Sequence, residues 1–194
     1  MDASNRCRPW GSSMSSSAAS RASLRSALRR FRRNRRGATV VEFALVAPVF
    51  FALLFAILET AILFFAGQVL ETITQESARM IMTGQAQSAG YQQADFQAYV
   101  CKQIPALFTC NNIYIDVQSY PAFSNITNSS QIDNAGNFIS NNLQYNPGGP
   151  GQIVKVTLSY QWPLIVTGLG YNISNLSGSK RLLTATAAFQ NEPY

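Results

Sequence analysis

The residues of this chain that could take part in chemistry are few, and the clearest group lies at the start of an apolar segment. The chain contains no histidine, so the commonest general base and metal ligand is missing. The stretch RRGATVVEFAL places a small residue, Gly37, before Ala38, and an acid, Glu42, where the apolar run begins. A carboxylate at the edge of hydrocarbon is costly unless it has a partner. The pattern suits proteolysis after Gly37, because a peptidase working at the membrane surface needs a residue without bulk before the bond that it cuts.

Cleavage after Gly37 would give Glu42 two sources of stabilisation. Glu42 would be the fifth residue of the new chain, close to the positive end of a helix dipole and to unsatisfied backbone N–H groups. It could also pair with the freed amine of Ala38 in a neighbouring subunit. The alternative is an uncleaved signal anchor, in which Glu42 lies at the level of the lipid headgroups.

The distribution of charge favours a membrane partner over nucleic acid. Residues 1–37 hold ten arginines and one acid, whereas the rest of the chain holds five basic residues and eight acids. Nucleic-acid binding needs a basic face on a folded module. Here the basic residues form a Ser/Arg-rich leader, which has too little apolar surface to fold alone. The arginines are expected to keep the N-terminus in the cytoplasm and the C-terminal part outside.

A single long helix is predicted over residues 38–84. Its part from 43 to 65 would span about 35 Å, enough to cross the hydrocarbon core of a bilayer. From residue 67 the apolar residues recur every three or four positions, which indicates a one-sided helix. Glu59 lies late in the apolar part. It could be solvated by headgroups at the outer interface or pair with another helix in the membrane, and the sequence leaves both interpretations open.

The remaining residues, 85–194, are predicted to form an α+β domain outside the membrane. A short helix over about 91–104 is followed by alternating patterns typical of strands near 113–118, 154–162 and 181–190. Residues 123–151 are rich in Asn, Ser, Gly and Pro and are expected to form a long surface loop. The fold class is therefore α+β, with a long N-terminal helix packed on a small antiparallel sheet.

Two of the three cysteines, Cys101 and Cys110, lie in this outer domain. An oxidising compartment favours a disulfide between them over two free thiols. The surrounding residues resemble no metal-ligand set, so no metal and no cofactor are expected.

Several stretches resemble the TadE-like proteins, pseudopilins of the Tad (Flp) type IV pilus system. RRGATVVEFALVAPVFFALLF is similar to the family's opening, with Glu42 and Phe43 in its Val-Glu-Phe-Ala-Leu part. Glu59 in ILETAILFF matches the acidic residue late in the family's membrane segment. ESARMIMTGQ resembles the end of the family's long helix, and FQNEPY is similar to the short endings of some members. Apart from that ending, the resemblance covers about residues 35–85.

The resemblance implies a bacterial minor pilin that takes part in assembling a Tad pilus for adhesion. Its expected partners are the cytoplasmic membrane, a prepilin peptidase that cuts between Gly37 and Ala38, other pilins and the pilus assembly machinery. Glu42 and Phe43 would serve processing or assembly. The sequence leaves open whether the protein is TadE or its sister TadF, and whether it enters the fibre or stays in the inner membrane.

Two other classes of function can be weighed against this one. An adhesin or binding module on an uncleaved single-pass anchor would use the 123–151 loop as its contact surface. An enzyme is disfavoured, because the sequence has no histidine, no Gly-rich phosphate loop and no recognisable pair of catalytic carboxylates.

Overall fold

The computed structural model describes residues 37–166 and 171–194, so the predicted leader lies outside the described residues except for Gly37. Three α-helices and three strands follow one another in the described part: α1 (Ala38–Met82), α2 (Gln85–Ser88), α3 (Gln93–Gln103), β1 (Ile113–Tyr120), β2 (Ile153–Pro163) and β3 (Lys180–Gln190). The chain divides into two structural units between Phe51 and Ala52, within α1. The second unit contains the hydrophobic core, and the fold is α+β, as predicted.

Helix α1 is 45 residues long and contains Pro48. It ends two residues earlier than predicted, because the chain turns at Gly84, whose φ of 73° is left-handed. The ring of Tyr194 lies against Gly84, where a Cβ would come within 2.3 Å of it. The backbone amide of Glu192 also donates to the carbonyl oxygen of Met82 at 2.9 Å. The C-terminal residues thus cover the end of the long helix.

The three strands form an antiparallel sheet in the order β1-β2-β3. In β1 and β2, Ile113 pairs with Tyr160 and Tyr120 with Ile153. Because β2 also pairs with β3, it is the central strand. One face of the sheet alternates as predicted and carries the apolar residues Ile113, Ile115, Val117, Val154, Val156, Leu158, Leu183 and Ala185, all of them buried. The alternation of period two therefore identified the inner face correctly.

The core forms where the later part of α1 meets this face of the sheet. The helix contributes buried residues at spacings of three and four, namely Leu63, Ala66, Leu70, Ile73, Ser77 and Ile81. Phe96 and Val100 of α3 are fully buried in the same cluster. Each large aliphatic side chain buried in this way contributes about 1.5–3 kcal/mol to stability. The amphipathic half of α1 is thus held by the sheet.

The opposite face of β2 is also buried, which the sequence did not indicate. Lys155 is only 6% exposed, and Thr157 and Ser159 beside it are buried too. Lys155 donates through Nζ to the carbonyl oxygen of Thr127 at 2.8 Å, and Ser159 donates to the side chain of Gln131 at 2.6 Å. The loop predicted to lie on the surface therefore covers the second face of the central strand.

Candidate functional site

Helix α1 exposes an apolar surface that needs a non-aqueous environment. It is long and hydrophobic enough to cross a membrane, with a mean hydropathy of 2.6 over its most apolar 18 residues and no buried residue among them. Its exposed large side chains are Val40, Val41, Phe43, Leu45, Val46, Val49, Phe50, Phe51, Leu53, Leu54, Phe55, Ile57, Leu58, Ile62, Phe64 and Phe65. Exposed apolar surface of this extent marks a site for lipid or for another protein.

The predicted cleavage site lies at the first turn of this helix. Gly37 comes immediately before α1, and Ala38 is the first helical residue. Among the described residues, no heavy atom lies within 4 Å of the position that a Cβ on Gly37 would take. The surroundings described for Gly37 therefore leave room for a side chain, and packing does not explain why a glycine occurs there.

Glu42 and Phe43 are both exposed on the same helix. Phe43 is 68% exposed, and the Glu42 carboxylate makes no hydrogen bond or ion pair with any residue that the structure describes. The first turn of α1 contains no acidic residue, so Glu42 lies beyond it. The helix dipole acts mainly within the first turn, and its contribution at Glu42 is therefore small. Glu42 does lie four residues after Ala38, on the same side of the helix.

Glu59 has partners in its own chain, which neither sequence-based interpretation included. Its side chain is 8% exposed. The carboxylate accepts hydrogen bonds from the backbone amides of Ile165 and Val166, the latter with N···O distances of 3.0 and 3.2 Å to its two oxygens. Both amides belong to the segment that leaves β2.

Thr60 makes a second link to the same part of the chain. Its hydroxyl is hydrogen-bonded to that of Tyr171, and it also donates to the carbonyl oxygen of Ala56 at 2.8 Å. Two adjacent polar residues in an otherwise apolar stretch thus bind residues more than 100 positions away along the sequence. In the sequence, only the two adjacent polar residues Glu59 and Thr60 indicated that this part of the helix binds another segment of the chain.

Cys101 and Cys110 form a disulfide, with their Cα atoms 5.4 Å apart. Cys101 lies in α3 and Cys110 begins a 3₁₀ turn just before β1. The bridge closes a loop that carries Phe108, whose ring packs edge-on against Tyr160 and Trp162 with centroids 4.9 and 6.0 Å away. The disulfide therefore helps to hold the loop that carries Phe108 against Tyr160 and Trp162 of the sheet.

Replacing Cys101 by serine is expected to lower the free energy of unfolding by about 2–3 kcal/mol, because the short cross-link restricts the unfolded chain. The urea midpoint of the full chain in detergent, with Trp10 replaced by phenylalanine so that Trp162 is the only tryptophan, measures the effect by fluorescence. Cys7→Ser provides the control, since it removes a thiol from the leader and leaves the disulfide intact. Equal midpoints for Cys101→Ser and Cys7→Ser would contradict a stabilising role for the bridge.

Comparison with known proteins identifies one segment of the chain. Residues 37–79 match the family model described as TadE-like protein. No curated protein and no solved structure matches the chain. The match begins at Gly37, ends within α1 and includes Glu42, Phe43 and Glu59. The resemblance noted in the sequence is thereby confirmed for residues 37–79, which are similar to the TadE-like family.

Proposed function

We propose that this protein is a minor pilin, or pseudopilin, of a Tad (Flp) pilus. It is made with a cytoplasmic leader, cut by a prepilin peptidase between Gly37 and Ala38, and held in the bacterial inner membrane by α1. Its outer domain then lies on the far side of that membrane. Its role is structural rather than catalytic: it associates with other pilins through the helix and contributes to a pilus used for adhesion.

The observation that carries this proposal is that three boundaries fall within two adjacent peptide bonds, on either side of Gly37. The arginine-rich leader ends at Arg36, the family match begins at Gly37, and α1 begins at Ala38. A cut there removes the basic residues and leaves the helix complete. The open space beside Gly37 supports the same conclusion, because selection by a peptidase accounts for a glycine that packing does not require.

Orientation and anchoring follow from charge and exposure. The ten arginines before Ala38 favour a cytoplasmic N-terminus. The exposed apolar residues of α1 require lipid before assembly and other apolar helices after it. The same surface can therefore serve first as a membrane anchor and then as an interface between subunits.

The alternative of an adhesin on an uncleaved anchor gains little from the loop that it needs. Residues of that loop bind the buried side chains of Lys155 and Ser159. The amide of Gln144 donates to the buried Asp116 carboxylate at 2.9 Å. A loop that covers the sheet in this way is part of the domain's structure, and deleting it would test folding as much as binding.

The test of the proposal is the N-terminal sequence of the protein isolated from membranes or from sheared pili of the native bacterium. We expect the mature chain to begin at Ala38. Expression beside the prepilin peptidase in a heterologous host should give the same end, and expression without the peptidase should not. Pilus-associated protein that retains residues 1–37 would contradict the proposal and support the uncleaved anchor.

A further inference from the structure

The segment that leaves β2, residues 163–166, is attached to α1 at a level where the helix is still exposed and apolar. Glu59 is its attachment point. Phe64 and Phe65 come later in the helix and are 71% and 63% exposed. Phe65 follows Glu59 by six positions, which corresponds to about 9 Å along the helix axis. If hydrocarbon covers these two rings, Glu59 and the segment bound to it lie below the membrane surface as well.

The chemistry of the 163–166 segment suits that depth. Ile165 is 90% exposed, which is costly in water and favourable in lipid. The amides of Ile165 and Val166 are already satisfied by the Glu59 carboxylate. At a water-exposed turn, solvent would satisfy them, but within hydrocarbon every backbone N–H needs a partner from the protein.

An apolar cavity of about 490 Å³ lies between this segment and the helix. Apart from Glu59, which turns its carboxylate to the backbone amides, its lining is apolar: Phe55, Leu58, Ile62, Trp162, Pro163 and Val166, together with Ile165. A cavity of this composition beside a membrane-spanning helix suits the acyl chain of a phospholipid.

Basic side chains adjoin the segment on the neighbouring strand. Trp162 pairs with Arg181 and Pro163 with Lys180 at this end of the sheet. Lys180 is exposed, and Arg181 is half-buried and donates to the carbonyl oxygen of Ile173 at 2.7 Å. Tryptophan together with lysine and arginine is typical of the membrane interface, where the cations meet phosphate groups.

We propose that residues 163–166 insert into the leaflet on the side of the outer domain and that a phospholipid acyl chain occupies the cavity against α1. Glu59 holds the inserted segment by accepting its two amides, and Lys180 and Arg181 meet the headgroups. This rests on the proposed membrane anchoring by α1 and adds a second contact between the chain and the bilayer.

Fluorescence quenching by lipids with brominated acyl chains tests the insertion. The full chain is reconstituted in phosphatidylethanolamine–phosphatidylglycerol vesicles with both tryptophans, Trp10 and Trp162, replaced by phenylalanine. Ile165→Trp then supplies the only indole. We expect bromination to reduce its emission at least about twofold, because hydrocarbon surrounds this position.

Phe123→Trp in the same background is the matched control. Phe123 is an exposed apolar residue that follows Tyr120, and Tyr120 pairs with Ile153 at the opposite end of β2 from Trp162. The nine residues from Ile153 to Trp162 correspond to about 30 Å along the strand. The probe at position 123 is therefore expected to emit equally in brominated and unbrominated vesicles.

Alkaline carbonate extraction separates the two ways in which the experiment can fail. A chain that is released by carbonate is not anchored, which would overturn both the proposed anchoring and this inference. A chain that stays in the membrane while position 165 is unquenched would overturn the inference alone. The emission at position 165 could also be shifted to the blue and remain unquenched. This result would mean that protein, such as a second copy, covers the segment, and it would overturn the inference as well.

Glu59 variants test the attachment. Glu59→Ala removes the acceptor of both amides, and we expect the quenching at position 165 to fall by about half or more, because two unpaired N–H groups oppose insertion. Glu59→Gln keeps an acceptor oxygen and should retain most of the quenching. Equal quenching in Glu59→Ala and the parent would contradict the attachment role.

Discussion

Replacing Gly37 by valine is expected to leave the protein uncleaved, so that the leader stays attached to α1. A peptidase site shaped for a residue without a side chain must reject three added carbon atoms. Even one surplus methylene in a pocket commonly costs about tenfold or more, and valine should slow cleavage on the order of 100-fold. The readout is the fraction of the chain that carries residues 1–37 when it is expressed with its peptidase, measured by gel mobility and intact mass.

Gly67→Val is the matched control for this substitution. Gly67 lies in the same helix, and no heavy atom of the described structure lies within 4 Å of the position of its Cβ. Valine therefore adds the same atoms in open space at both glycines, but only at Gly37 beside the proposed scissile bond. Normal cleavage of Gly37→Val, or equally slow cleavage of Gly67→Val, would contradict recognition of Gly37 by the peptidase.

The sequence predicted the elements well wherever local pattern determines structure. The period of 3.6 in the later part of α1 and the period of two in the strands follow from the packing of one apolar face of each element in the hydrophobic core. The end of α1 was misplaced by two residues, because Gly84 takes up the left-handed conformation after the helix instead of completing it. Such boundaries depend on contacts with distant residues, here Glu192 and Tyr194.

What escaped prediction was contact between segments far apart in the chain. Lys155, Thr157 and Ser159 alternate with apolar residues and therefore resemble a solvent-facing row of β2. All three are buried, and a loop of ordinary polar composition accepts hydrogen bonds from Lys155 and Ser159. Composition does not reveal where such groups will lie. The hydrogen-bonding partners of Glu59 could not be predicted from the sequence for the same reason, because they are two backbone amides 106 and 107 residues away.

The two acidic residues in the apolar part of α1, Glu42 and Glu59, differ in whether the chain supplies their carboxylate with a hydrogen-bonding partner. Glu59 is buried and bound to its own chain. Glu42 is exposed and has no charged or hydrogen-bonding partner among the described residues. A carboxylate carried into an apolar environment without a partner is strongly unfavourable. Under the proposed cleavage after Gly37, the freed amine of Ala38 in a neighbouring subunit would supply such a partner for Glu42.

Replacing Glu42 by alanine is expected to reduce incorporation into pili at least on the order of 100-fold, since losing one partner of a buried ion pair commonly costs about 3–5 kcal/mol. The readout is the ratio of the protein in sheared pili to that in membranes, measured by quantitative immunoblotting. Glu71→Ala is the matched control, because Glu71 is an exposed acid of the same helix beyond its apolar part. Unchanged incorporation of Glu42→Ala would remove the proposed role of this carboxylate in assembly.

The variant Glu42→Gln separates charge from hydrogen bonding. Glutamine keeps the length of the side chain and an acceptor oxygen but cannot neutralise an amine. If the partner is the ammonium group of Ala38 in a neighbouring subunit, Glu42→Gln should fail to assemble nearly as completely as Glu42→Ala, because the ammonium remains unpaired in an apolar interface. Assembly of Glu42→Gln at the parental level would instead point to a neutral hydrogen-bond donor. Processing measured in the same cells shows whether the loss arises before or after cleavage, and we expect Glu42→Ala to be cut at Gly37 and to accumulate in the membrane.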